Sequence, residues 1–143
     1  MTQPLKLEGT WEMDSAWEIL ADGTRVTAYS EHPHGLMMVD GDGRYSIQIF
    51  RPDRPHFASG AKSSGTPEEY RAAVLGSSTH FGRVRLESDG KTIVFAVAVS
   101  SFPNWEGKEQ RREYTYHDGL LTYAVPASAS GNGTIAWSRW RKL

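Results

Sequence analysis

The chain has 143 residues, and its 16 basic and 17 acidic residues leave a formal charge of −1. That length suits one domain with one sizeable core, and that charge balance offers no field to DNA, RNA or an anionic membrane. The absence of cysteine excludes a disulfide framework, a thiolate nucleophile and a Cys-type zinc site.

The opening "MTQPLKLEGTWEMD" lacks the basic start and apolar core of a signal peptide. No apolar run reaches the ~18–20 residues of a membrane span. The expectation is a soluble, cytoplasmic protein with no membrane partner and one domain over 1–143. Asp-Gly pairs at Asp22-Gly23, Asp40-Gly41, Asp42-Gly43, Asp89-Gly90 and Asp118-Gly119 punctuate runs rich in Val, Ile, Tyr, Phe, Trp and Thr. Asp-Gly between such runs signals tight hairpins, whose turns need positive φ. Strands are predicted over 9–19, 24–30, 35–40, 44–51, 80–88, 92–101, 109–117, 120–125 and 133–141, with a further turn at 130–133. About eight or nine strands joined in order make an all-β, antiparallel up-and-down barrel, because closure removes exposed edges.

Along the chain, "HPH" at 32–34 puts His32 and His34 two residues apart. A metal site needs a third ligand and Pro33 suits a turn, so no metal is predicted. "GDGRYS" lacks the donor series of a calcium loop. Residues 51–79 interrupt the meander with a Pro/Gly/Ser-rich stretch, His56 and Phe57 included, and one helix. Thr66 serves as N-cap, Pro67 as first helical residue, Glu69 completes a capping box, and Gly76 stops it. A helix this short must pack on something, with Tyr70, Ala73 and Val74 as its shared face. It is expected to cap one barrel end, next to His80 and Phe81. Arg51 and Arg54 sit where the chain leaves the barrel, facing an anionic ligand or simply water.

"TIVFAVAVSSF" alternates a bulky row of Ile93, Phe95, Val97 and Val99 with a small row of Val94, Ala96, Ala98 and Ser100. In "EQRREYTYH", Glu109, Arg111, Glu113 and Thr115 form one row, with charges alternating as on a solvated face. Gln110, Arg112, Tyr114 and Tyr116 are then expected inside. A buried guanidinium needs a partner. It is either clamped by Glu or backbone carbonyls, or left for a ligand carboxylate, enolate or carbonyl oxygen.

"GTW" at 9–11, "DGDGRYS" at 40–46, "RPDRPHFASG" at 51–60, "GTPEEYRAAVLG" at 65–76 and "PNWEGKEQRRE" at 103–113 resemble the small bacterial and fungal lipocalin-like domain proteins. The resemblance runs in order over nearly the whole chain. It implies a lipocalin-like barrel with an internal cavity, and the wider group of such barrels holds carriers and natural-product enzymes. Trp105, Gly107, Gln110 and Arg112 match its "NWxGxxQxR" pattern, whereas His32, His34 and His80 depart from it.

Two functions follow. The first is binding of a small, largely hydrophobic metabolite with an oxygen-bearing end. Phe57, Phe81, Phe95, Trp105, Gln110, Tyr114, Tyr123 and Trp137 are the predicted ligand-binding residues. The alternative is a cofactor-independent isomerase or cyclase for a polyketide- or polyene-type substrate. In it Arg112 or Tyr70 stabilises an enolate and His80, with a pKa near neutrality, moves a proton. Neither calls for a cofactor or a nucleic acid. An exposed aromatic strand would also suit a homodimer.

Overall fold

The computed structural model describes residues 4–125 and 133–143. Its strands are β1 (Gly9–Ile19), β2 (Arg25–Thr27), β3 (His34–Val39), β4 (Arg44–Phe50), β5 (Ser77–Leu86), β6 (Thr92–Ser100), β7 (Glu109–His117), β8 (Leu120–Val125) and β9 (Ile135–Lys142). One helix, α1 (Pro67–Leu75), precedes β5, and a short 3-10 turn (Pro103–Trp105) precedes β7. The sheet order is β2-β1-β3-β4-β5-β6-β7-β8-β9, and β1 also pairs with β9. Eight antiparallel strands therefore close an up-and-down barrel, and β2 adds a short ninth at the end of β1.

The predicted strands appear with end shifts of up to three residues, the strand expected over 24–30 shrinking to Arg25–Thr27, and the Asp-Gly turns join them as expected. At the β7–β8 hairpin both Asp118 (φ 55°) and Gly119 (φ 76°) are left-handed, the backbone of a tight primed turn. Between β3 and β4 the Asp40 carboxylate accepts from the Asp42 and Arg44 amides, each at 2.9 Å. That cap places the left-handed residue at Gly43 (φ 83°). The turn read at 130–133 lies, but for Gly133, outside the described residues.

One half of the barrel is filled. Trp11, Met37, Ile93, Leu121 and Trp140 are fully buried there, each stabilising the fold by roughly 1.5–3 kcal/mol. The indole of Trp11 donates to the Leu7 carbonyl (3.0 Å) and that of Trp140 to the Tyr123 hydroxyl (3.0 Å). On the outer wall Arg85, Glu87, Glu109 and Arg111 interlock in ion pairs. They flank Val94, which pairs with both arginines across the strands and is fully buried although it faces outward. Long charged side chains can shield an apolar neighbour with their methylene stems.

Two bulges set which side chains face in. In β1, Met13 pairs with Trp140 and Ser15 with Arg139, leaving Asp14 unpaired. In β6, Phe81 pairs with Val99 and Gly82 with Val97, leaving Ala98 extra. Each extra residue reverses the alternation beyond it.

Helix α1 keeps its capping box: the Glu69 amide donates to Thr66 Oγ1 (3.1 Å) and the Thr66 amide to Glu69 Oε1 (2.8 Å). None of its residues is buried. Tyr70 packs edge-on against Phe57 at 5.3 Å, while Val74 is 66% exposed. The expected packing face of Tyr70, Ala73 and Val74 is therefore corrected: Tyr70 serves a local cluster and Val74 meets water.

Candidate functional site

Inward residues in the other half of the barrel leave a cavity of about 270 Å³. Its apolar wall includes Ile47, Ile49, Phe95 and Val125, and Phe102 and Trp105 stand at its edge. The 3-10 turn carrying Trp105 is fixed by the Glu106 carboxylate accepting from the Ser100 amide (3.1 Å). Ser100 Oγ in turn accepts from the Phe102 amide (3.1 Å).

The polar groups come mainly from β7, β5 and β1. Arg112 and Gln110 project inward from β7, as the alternation of that strand requires. Arg112 is 7% exposed. Among the described residues its one hydrogen bond runs to the neighbouring Arg111 carbonyl (3.1 Å), and no carboxylate there pairs with it. Burial lowers its pKa from the ordinary guanidinium value. Gln110 Nε2 is buried without a hydrogen-bond partner. The site therefore holds a nearly uncompensated cation beside an unused amide donor.

His80 points inward from β5 and is 9% exposed. Its Nδ1 lies 2.7 Å from the Tyr45 hydroxyl, and its ring meets Trp105 edge-on at 5.7 Å. Burial, and then the Arg112 charge, push the imidazole down to about 4. The expectation of a histidine near neutrality is thus corrected: His80 is neutral at pH 7. Burial raises the Tyr45 phenol, so it keeps its proton and can donate to Nδ1, leaving the imidazole proton on Nε2. Tyr123, buried on β8, is pushed up to about 12 by burial.

Alternation alone does not reveal a third group. Glu18 of β1 lines the cavity together with Tyr29 and Ser78. Beyond the bulge at Asp14, Ala16 and Glu18 turn inward and Trp17 turns out. Tyr29 follows Ala28, whose amide donates to the Ala16 carbonyl (3.0 Å). Burial raises the Tyr29 phenol; its hydrogen bond with Ser78 opposes this and the Glu18 charge adds to it.

Of the residues singled out in the sequence, the cavity brings together His80, Phe95, Trp105, Gln110, Arg112, Tyr123 and the edge of Trp137. The Trp137 ring stacks on Trp17 at 5.9 Å, and the guanidinium groups of Arg25 and Arg139 lie over the Trp17 ring. That pair borders an outer groove of about 640 Å³, whose Arg139 is already bonded to Thr122 and stacked on Trp17. Tyr114 is inward and buried, but it belongs to the filled half rather than the cavity wall. Phe81 is 51% exposed on the outer wall, in register with Met38, Ser46 and Val99.

Tyr70 and Phe57 stay outside the cavity, with the Tyr70 hydroxyl donating to the Lys62 carbonyl (2.9 Å). The connection carrying α1 leaves the barrel at the cavity end, yet none of residues 51–76 lines the cavity. Arg51 pairs with Asp53, and Arg54 stacks on Phe50. His32, His34, His56 and His117 are exposed, and no metal-holding cluster occurs among the described residues. No helix is long and apolar enough to cross a membrane.

A family model described as a lipocalin-like domain matches residues 8–143. The 4′-hydroxy-3′-methoxypropiophenone carrier protein of Aspergillus oryzae is 29% identical over 106 residues, covering 68% of this chain and 96% of that protein. A lipocalin-like protein from Bacteroides uniformis superposes with a TM-score of 0.49 at 16% identity, over 96% of this chain and 98% of its own. A redesigned β-barrel gives 0.46 at 11% identity, over 96% and 91% respectively.

Proposed function

We propose, from the premise that this chain belongs to the lipocalin-like domain family, that it binds a small, largely apolar metabolite inside the barrel. Arg112 and Gln110 hold the ligand's oxygen-bearing end. The observation that carries this reading is the pair of buried donors, Arg112 without a carboxylate and Gln110 Nε2 without any acceptor. A buried polar group left unmatched costs about 1–3 kcal/mol, and a ligand oxygen would recover that cost. The cavity has room for on the order of ten heavy atoms, judged from the ~30 Å³ share of one water. A single-ring aromatic ketone is of that size, and the Aspergillus relative is named as the carrier of one.

The test is calorimetric titration with propiophenone, beside mass spectrometry of a metabolite extract incubated with the protein. Saturable binding near one per chain, weakened in Arg112→Met and Gln110→Leu, supports the reading. Absence of any retained compound, with no ketone binding at millimolar concentration, overturns it.

The His80–Tyr45 hydrogen bond favours a second reading, a cofactor-independent isomerase or cyclase in the same cavity. A neutral imidazole can donate from Nε2 to a developing oxyanion, but with a pKa of about 4 it makes a weak base at pH 7. The same extract experiment separates the two. Conversion to an equal-mass isomer in excess over protein indicates catalysis, and unchanged retained compound indicates a carrier.

A further inference from the structure

The cavity has a second polar pole. Glu18 lines it, and no ion pair or hydrogen bond joins its carboxylate to another described residue. Tyr29 and Ser78 stand beside it. Tyr29 (φ 56°) and Ser30 (φ 74°) are both left-handed, a conformation that costs a non-glycine residue about 1–2 kcal/mol and persists only where the surroundings fix it.

Glu18 lies far from Arg112. Going round the wall from β7, one crosses β8 and β9 to reach β1, three steps in a ring of eight. Each step is ~4.8 Å. The register is also related: Val125 pairs with Ala136, and Ala136 with Glu18. Val125 lies two residues beyond Tyr123, the partner of Tyr114, just as Arg112 lies two before Tyr114. The two charged groups thus share one ladder row, three strands apart round the cavity wall and offset along the barrel axis by the strand tilt, with Val125 and Ala136 between them.

We infer that the ligand is bifunctional and net neutral: an apolar body with an acceptor oxygen at Arg112 and Gln110 and a hydroxyl at the far end that donates to Glu18. A carboxylate accepts and never donates, so this pole selects a hydroxyl over an ether or a bare ring. With one charge of each sign on the cavity wall, the site does not require a charged ligand. This inference rests on the reading of Arg112 and Gln110 given above.

The test compares propiophenone, 4-hydroxypropiophenone and 4-methoxypropiophenone by calorimetry. A hydrogen bond to a charged acceptor gives the 4-hydroxy compound a roughly 10- to 100-fold lower Kd than propiophenone, and the methoxy compound lacks that gain. In Glu18→Gln the hydroxyl preference, taken as the ratio of the two Kd values, shrinks to about threefold or less. Glu18→Asp, which keeps the charge, checks against loss of fold and retains part of the preference. Equal affinities for the three ketones, or a preference that survives in Glu18→Gln, overturn the inference while leaving ketone binding intact. Failure of all three to bind removes the underlying reading of Arg112 and Gln110, and the inference with it.

Discussion

Replacing Arg112 by methionine should stabilise the empty protein while weakening its ligand. Arg112 is 7% exposed, has among the described residues one hydrogen bond, to its neighbour's carbonyl, and has its pKa lowered by burial. It is a charge taken from water with little in return. Exchanging such a group for an apolar one of similar length is neutral or stabilising, by about 1–3 kcal/mol. For a chain of this size that is a rise in Tm of roughly 3–10 °C. The lost bond to a ligand oxygen costs about 1.5–3 kcal/mol, a roughly 10- to 150-fold higher Kd. Differential scanning calorimetry of the empty proteins, followed by titration with propiophenone, reads both. A Tm that falls by several degrees with unchanged affinity would show that Arg112 holds the fold rather than the ligand, and would refute the reasoning.

Three further outcomes follow from the geometry. His80 is pushed down to about 4 from an ordinary value of 6.5, so between those values the unfolded chain binds more protons than the folded one. Stability should therefore fall as pH drops from about 6.5 to about 4, by up to ~3 kcal/mol; urea unfolding of the wild type against His80→Gln isolates this loss, and identical pH slopes would refute it. A Cβ at Gly82 would lie 2.0 Å from the Ala96 carbonyl oxygen and 2.8 Å from the Ala98 nitrogen, so Gly82→Ala should break the β5–β6 bulge and cost more than about 3 kcal/mol by urea unfolding. Thr66→Ala removes the N-cap of α1, worth about 1 kcal/mol. Because that helix buries no residue, hydrogen exchange should quicken over 67–75 while the barrel's Tm moves by less than about 2 °C.

The amino-acid sequence by itself determined the order of the strands, because Asp-Gly demands turns and the β-branched and aromatic runs between them demand sheet. It also determined the inner row of β7, because Glu109, Arg111 and Glu113 can form ion pairs in water and Gln110 and Arg112 alternate with them. The capping box of α1 was equally legible, since it depends on residues three apart. Tertiary structure alone decided the rest of the cavity. A period of two carries no signal for a single inserted residue, so strict alternation from Trp11 and Met13 would place Trp17 inside and Glu18 in water. The bulge at Asp14 reverses this. The bulge at Ala98 likewise lets Val97 and Ser100 both face inward while Val99 faces out beside Phe81. Such bulges arise from the bending and twist needed to close the barrel, which depend on strands far apart in the chain. For the same reason local propensity predicted the existence of α1 but not its place, which was settled by the Phe57–Tyr70 contact and left Tyr70 outside the cavity.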